Sequence, residues 1–101
     1  MVSFSDRAVV PAYVLIHHMD GESVLLNLET EIYFGLDSMG TRMWQVATRS
    51  MNIESAYATL LHEFDADPEV LRSNLAELLS NLIEHGLLKL SSADVGSVPT
   101  V

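Results

Sequence analysis

The sequence contains no cysteine, and only five basic residues stand against fourteen acidic ones in 101 positions. Without cysteine, disulfides, thiolate metal sites and a cysteine nucleophile are excluded. The formal charge of −9 would repel a phosphate backbone and an anionic membrane surface, so nucleic-acid binding and membrane association are disfavoured. The few basic residues are scattered and form no stripe along any segment: Arg7, Arg42, Arg49, Arg72 and Lys89.

Long hydrophobic runs are also missing, since no stretch approaches the ~18 consecutive apolar residues of a membrane span. The N-terminus MVSFSDRAVV lacks the basic region and apolar run of a signal peptide, so we expect a cytoplasmic protein. The apolar share of 49% is enough for one hydrophobic core. We expect a flexible lead-in over residues 1–10, one domain over residues 11–90, and a disordered tail over residues 91–101, where SSADVGSVPTV is small, polar and proline-interrupted.

Residues 12 to 36 predict three short strands in the runs AYVLIHHM, SVLLNLE and EIYFGL. Asp20-Gly21 between the first two runs favours a two-residue turn with positive φ. The second run alternates with the period of two that is typical of a half-buried strand. Only Glu29, at the end of the second run, and Thr30 are left for the link to the third run. We therefore predict a three-stranded antiparallel meander with tight links.

From Asp37 onward the apolar spacing becomes helical, and it predicts three helices. The residues that can cap these helices at their N-termini are, in chain order, Asp37 or Ser38, Asn52, and Asp67 followed by Pro68. Gly86 is typical of the position just past a helix C-terminus, and the following LLKL predicts a short terminal strand or a packing segment. The fold class is α+β, winged-helix-like, with the three-stranded meander followed by three helices.

The residue types that carry catalysis or bind metals do not converge in this sequence. His17 and His18 are neighbours on a predicted strand, so their side chains point to opposite faces. His62 and His85 each adjoin a glutamate that faces another way, and no HxxxH or HxxE spacing occurs. There is also no GxSxG motif and no glycine-rich phosphate loop. We predict no catalytic residue, no metal ligand and no cofactor.

The predicted third helix carries more apolar surface than one core contact needs. At about 100° per residue, four leucines form an ordinary core stripe: Leu71, Leu75, Leu78 and Leu82. A second row continues the apolar surface on one side only, and it comprises Arg72, Ala76, Leu79 and Ile83. Two explanations are open. The helix is buried on two sides, for example under the terminal LLKL, or the second row forms one wall of a groove.

The meander leaves two strand edges unpaired. Natural proteins usually protect such edges with lysine, proline or a bulge. The third run, EIYFGL, has no lysine or proline, and Gly35 permits the close approach of another backbone. An open edge beside an apolar helix face is what a strand-adding peptide requires. The sequence therefore predicts a peptide-binding groove.

The order of three segments, ESVLLNLETEIYFGLDSMGTRMW, NIESAYATLLHEF and LAELLSNLIEHGLL, resembles the PqqD-like proteins, also called RiPP recognition elements. The resemblance extends from about Gly21 to Leu90. It implies a winged-helix-like fold that binds the leader segment of a ribosomally made precursor peptide as an extra strand against the third strand, with peptide side chains entering the groove beside the third helix. The residues that it assigns to peptide binding are Glu31, Ile32, Tyr33, Phe34 and Gly35 on the strand, and Arg72, Leu75, Ala76, Leu79 and Ile83 on the helix.

Within this family the chain is most similar to the stand-alone leader-binding proteins of lasso-peptide clusters. These act with a separate leader peptidase and a maturation enzyme, a cyclase, which we expect as partners beside the precursor. The branch that serves biosynthesis of the quinone cofactor PQQ usually has a proline-glutamate pair before the third strand, where this chain has Leu28-Glu29-Thr30.

Three alternatives remain open: a peptide chaperone of PQQ biosynthesis, a winged-helix DNA-binding regulator, and a subunit that only docks on an enzyme. A monomer and a dimer are both possible, since an open strand edge can pair with itself.

Overall fold

The computed structural model describes residues 2–92. Their elements follow in the order β1 (Asp6–Val9), β2 (Val14–Met19), β3 (Glu22–Asn27), β4 (Ile32–Leu36), α1 (Ser38–Arg49), α2 (Ile53–Glu63), α3 (Pro68–Glu84) and β5 (Lys89–Ser92). The predicted α+β class is confirmed, with the meander followed by three helices. Within residues 2–92, no helix has the length and apolar character needed to cross a membrane.

The predicted meander is the antiparallel sheet β2-β3-β4. Asp20 and Gly21 link β2 to β3 with φ angles of 48° and 86°, which is the positive-φ turn expected from their sequence. The link from β3 to β4 is longer than predicted and comprises residues 28–31. The reason is the Asn27 side chain, whose Oδ1 accepts hydrogen bonds from the backbone N–H groups of Glu29 and Thr30 at 2.9 and 3.2 Å.

The alternation of β3 is confirmed, and its less apolar side faces the core. The buried residues are Ser23, Leu25 and Asn27. The two polar side chains among them, Ser23 and Asn27, form hydrogen bonds with partners from the helical half of the chain. The hydroxyl of Ser23 lies 2.7 Å from that of Thr41, and Nδ2 of Asn27 donates to the carbonyl oxygens of His85 and Gly86, each at 3.3 Å.

The helix ends lie where the sequence placed them. The capping side chains Asp37, Asn52 and Asp67 each accept backbone N–H groups from the first turn of their helix. After α3, Gly86 has a φ of 70°, and its N–H donates to Ile83 while that of Leu87 donates back to Leu82. This pair of bonds is a Schellman motif, which needs a left-handed residue and hence favours glycine.

The hydrophobic core lies between the helices and the inner face of the sheet. Its largest fully buried apolar side chains are Leu25, Ile53, Leu60, Leu71, Leu75, Leu79, Leu82, Leu87 and Leu88. They come from β3, from α2 and α3, and from the segment after α3. The core therefore joins the central strand of the sheet to α2, α3 and the segment after α3.

The start of the chain differs from the expected flexible lead-in, because residues 6–9 form β1. This strand pairs antiparallel with β5, from Asp6 opposite Ser92 to Val9 opposite Lys89. Before it, the Phe4 carbonyl accepts the N–H of Glu54, and the Phe4 ring packs edge-on against Tyr57. Pairing with a strand more than eighty positions away leaves no local sequence pattern. Residues 91 and 92 of the expected tail belong to β5, and residues 93–101 lie outside the described part of the chain.

Candidate functional site

The outer edge of β4 is the first component of the site. β4 pairs with β3 on one side, and no strand within residues 2–92 pairs with its other side. Alternate residues of an edge strand direct their N–H and C=O groups away from the sheet, where they are free to bind another chain. Neither lysine nor proline interrupts this edge. An alanine side chain at Gly35 would meet no atom within 4 Å, so the sheet face on that side of β4 is open at this position.

The second component is the flank of α3 that faces β4. The Phe34 ring lies in an edge-on contact with the imidazole of His85, at a centroid distance of 5.2 Å. His85 caps α3, and its Nδ1 lies 2.7 Å from the carbonyl oxygen of Asn81. At about 100° per residue, Leu78 and Asn81 lie on the same side of the helix as His85. By helical rotation this flank therefore faces the space between α3 and β4, which we call the gap.

The gap has apolar side chains on both sides and polar ones along its rim. Ile32 and Phe34 point to the inner face of β4, where Ile32 is 41% exposed and Phe34 is half-buried. Leu78 of α3 is also half-buried and packs against the core. Asn81 and His85 are exposed and can donate or accept hydrogen bonds. The arrangement can accept an extended peptide that pairs with β4 and buries alternate side chains.

The strand residues predicted for peptide binding divide between two faces. Ile32 and Phe34 point toward the gap, whereas Tyr33 and Gly35 are exposed on the opposite face of the sheet. Glu31 does not belong to the strand. It lies in the preceding turn with a φ of 62°, and its N–H donates to the carbonyl of Asn27.

The helix residues predicted for peptide binding do not line this gap. Leu75 and Leu79 are fully buried in the core, so they cannot contact a peptide on the surface. The Arg72 guanidinium stacks on the Phe4 ring at 3.9 Å and pairs with Glu54. Ile83 lines a cleft with Val2 and Leu90, on the flank away from β4. Ala76 shares that flank by helical rotation.

Of the two explanations for the extra apolar surface of α3, packing of the helix on two sides agrees with the structure, and a groove wall formed by the second row does not. The helix packs on two sides: Leu79 is buried in the core, Ala76 and Ile83 are half-buried, and the guanidinium of the exposed Arg72 stacks on the Phe4 ring. Sequence reasoning missed the flank of Leu78, Asn81 and His85 because its mostly polar residues are typical of a solvated helix face. The apolar Leu78 could have indicated this flank, because it lies at the border between the core stripe and the polar residues.

Chemistry-bearing side chains do not cluster around the gap. Among residues 2–92, no group of three or more histidine or acidic side chains is placed to hold a metal ion. His17 and His18 occupy adjacent positions of β2, which present side chains to opposite faces. The unpaired β4 edge beside apolar side chains is the geometry of a binding surface for a polypeptide.

Comparisons with known proteins agree with this geometry. The family model "Coenzyme PQQ synthesis protein D (PqqD)" matches residues 22–88, which run from β3 to the segment after α3 and include both components of the gap. No functionally curated protein matches the chain. A solved structure of TbiB1, in complex with the TbiA(beta) leader peptide, superposes with a TM-score of 0.72 at 30% identity. The match covers 80% of this chain and 94% of TbiB1. The family model spans well over half of the sequence, and the chain therefore belongs to the PqqD family.

Proposed function

We propose that the chain is a non-catalytic recognition protein that binds the leader segment of a ribosomally synthesised precursor peptide. The leader adds a strand to the free edge of β4 and places alternate side chains between β4 and α3. The observation that carries the proposal is the open β4 edge beside the exposed Ile32 and the half-buried Phe34 and Leu78. It is supported by the similarity to TbiB1, which was solved with a leader peptide.

The energetics require the gap as well as the edge. Each ladder hydrogen bond contributes a net of about 0.5–1.5 kcal/mol, while ordering each peptide residue costs about 1–2 kcal/mol. Backbone pairing alone therefore gives little net affinity. A micromolar Kd corresponds to about −8 kcal/mol, so two or three apolar anchors worth roughly 1.5–3 kcal/mol each must be buried. Ile32, Phe34 and Leu78 are the side chains available to surround them.

We further propose that the protein acts in the cytoplasm and delivers the bound precursor to a separate leader peptidase and a maturation enzyme of lasso-peptide biosynthesis. The family resemblance supports this pathway, as does the sequence Leu28-Glu29-Thr30 in place of the proline-glutamate pair. A peptide-chaperone role in PQQ biosynthesis is the second candidate, because the matching family model carries that description. A DNA-binding role is disfavoured, since α3 carries Glu69, Glu77 and Glu84.

Fluorescence anisotropy tests the proposal directly. The probe is the labelled leader segment of the precursor encoded beside this gene, and a scrambled peptide serves as control. We expect micromolar or tighter binding to the native sequence only. Ile32→Asp places a charge on the gap side of β4 and should weaken binding at least about tenfold, because it removes one apolar anchor contact. Met51→Asp is the matched control, since Met51 is 74% exposed in the loop between α1 and α2.

Circular dichroism should be the same for both variants, because both positions are exposed. Equal affinities of the two folded variants would contradict the assignment of the gap. Absence of binding by the folded wild-type protein would favour the docking-subunit alternative.

A further inference from the structure

The face of the β2-β3-β4 sheet that points away from the helices carries a row of apolar side chains. The strand register places Leu15, Leu26 and Tyr33 side by side across the three strands. Leu15 is 53% and Tyr33 is 70% exposed, and Leu26 is half-buried. Cross-strand neighbours on one face lie roughly 5 Å apart, so these three side chains form one continuous surface.

Further apolar residues extend this row into a patch, which we call the outer face. On β3, Val24 precedes Leu26 on the same side of the strand and is half-buried. Met19 ends β2 on the same side as Leu15 and is 46% exposed, and the exposed His17 lies between these two residues. The exposure of these side chains means that no element within residues 2–92 covers them. Contiguous exposed apolar patches of this kind mark interaction sites more often than scattered single residues do.

The charged residues in the strands and links of the β2-β3-β4 sheet are all acidic. No lysine or arginine occurs between Arg7 and Arg42, an interval that contains the whole sheet. The acidic residues in this interval are Asp20, Glu22, Glu29, Glu31 and Asp37. A second copy of the chain would bring the same acidic rim against this one, and an anionic membrane would be repelled in the same way. The chemistry fits a protein surface of opposite charge.

We propose that the outer face docks a partner protein whose surface is apolar at its centre and lined with lysine and arginine at its rim. This inference rests on the proposed function and names the partner as the enzyme that processes the bound precursor. Tyr33 belongs to the outer face, whereas its neighbours Ile32 and Phe34 point toward the leader site. An enzyme docked on the outer face therefore lies beside the peptide-bearing strand and leaves the gap open.

The test measures two affinities for each variant. Leu15→Asp adds a charge to the outer face on the edge strand β2, two strands away from the free edge of β4. Met51→Asp is again the matched control. The first probe is the purified leader peptidase encoded beside this gene, measured by biolayer interferometry, and the second is the labelled leader peptide. We expect Leu15→Asp to weaken peptidase binding at least about tenfold, with leader affinity within about twofold of wild type.

Each outcome bears on one hypothesis. Unchanged peptidase binding by Leu15→Asp, with the leader still bound, overturns the outer-face assignment and leaves the proposed function standing. Loss of leader binding by the wild-type protein contradicts the proposed function instead. Raising the salt concentration from about 0.05 to 0.5 M should weaken the peptidase complex, because added salt screens charges at a rim; insensitivity to salt overturns the basic-rim chemistry. A dimer that Leu15→Asp dissociates, seen by sedimentation equilibrium, overturns the proposal in favour of a second copy.

Discussion

Replacing Gly86 by alanine is expected to destabilise the fold by about 2–5 kcal/mol, because two separate constraints meet at this residue. Its φ of 70° is in the left-handed region, as the Schellman motif after α3 requires. A Cβ atom at this position would also lie 2.9 Å from Nδ2 of Asn27. That nitrogen donates to the carbonyl oxygens of His85 and Gly86 and thereby joins β3 to the end of α3.

The magnitude follows from these two terms. A left-handed conformation costs a residue with a side chain about 1–2 kcal/mol. Moving the Asn27 amide aside gives up two hydrogen bonds to backbone carbonyls, at a net of about 0.5–1.5 kcal/mol each. A domain of this size has a free energy of unfolding of about 5–15 kcal/mol, so the variant should still fold and the loss should be measurable.

Urea unfolding followed by circular dichroism is the appropriate assay, and Gly35→Ala is the matched control. Gly35 lies in β4 without a positive φ, and a Cβ there meets nothing within 4 Å. Glycine in a strand interior is less stable than alanine by roughly 0.5–1 kcal/mol, so Gly35→Ala should leave the stability unchanged or raise it slightly. Gly86→Ala should lower the urea midpoint without changing the slope m.

Gly86→Ala that is no more destabilising than Gly35→Ala would show that neither constraint acts at Gly86. A double-mutant cycle separates the two terms. In an Asn27→Ala background the contact with the new Cβ is absent, so Gly86→Ala should cost only the conformational part, about 1–2 kcal/mol. An equal cost in both backgrounds would show that Asn27 does not resist the added methyl group.

Two further predictions concern the helical half of the molecule. Phe4→Ala removes the stacking partner of Arg72 and the edge-on contact with Tyr57; it should lower the free energy of unfolding by about 1–3 kcal/mol in urea titrations. Leader affinity should not change, because these contacts lie on the flank of α3 away from β4, and a loss of affinity at unchanged stability would contradict that placement. The Arg42 guanidinium donates a hydrogen bond of 2.8 Å to Glu63 and lowers the pKa of that carboxyl. Because this pKa is depressed, its contribution to stability is present above the unfolded pKa of glutamate and is lost as the pH falls through the folded value. Glu63→Gln should therefore be slightly less stable than wild type at neutral pH and equal to it in acid; a difference that persists in acid would assign the effect to packing.

The strand and helix pattern of residues 14–86 could be predicted because its signals are local. Asp20-Gly21 forms the turn, and Gly86 ends α3, as their backbone preferences indicate. The open edge of β4 was predicted for a related reason, since an edge strand without lysine or proline is visible in the sequence. The orientation of α3 was not, because both of its flanks adjoin the same leucine stripe.

The sequence by itself determined the α+β order, the helix ends and the unprotected β4 edge, because each depends on residues close together along the chain. It also determined the acidic charge, which depends on composition alone. Only the tertiary structure decided which flank of α3 lines the gap with β4. The Phe4 ring stacks on Arg72, and Leu90 of β5 lines a cleft with Ile83, so this flank is engaged by contacts between positions far apart in sequence. Such contacts depend on how the chain closes on itself, so the periodicity of α3 alone could not choose between its two sides.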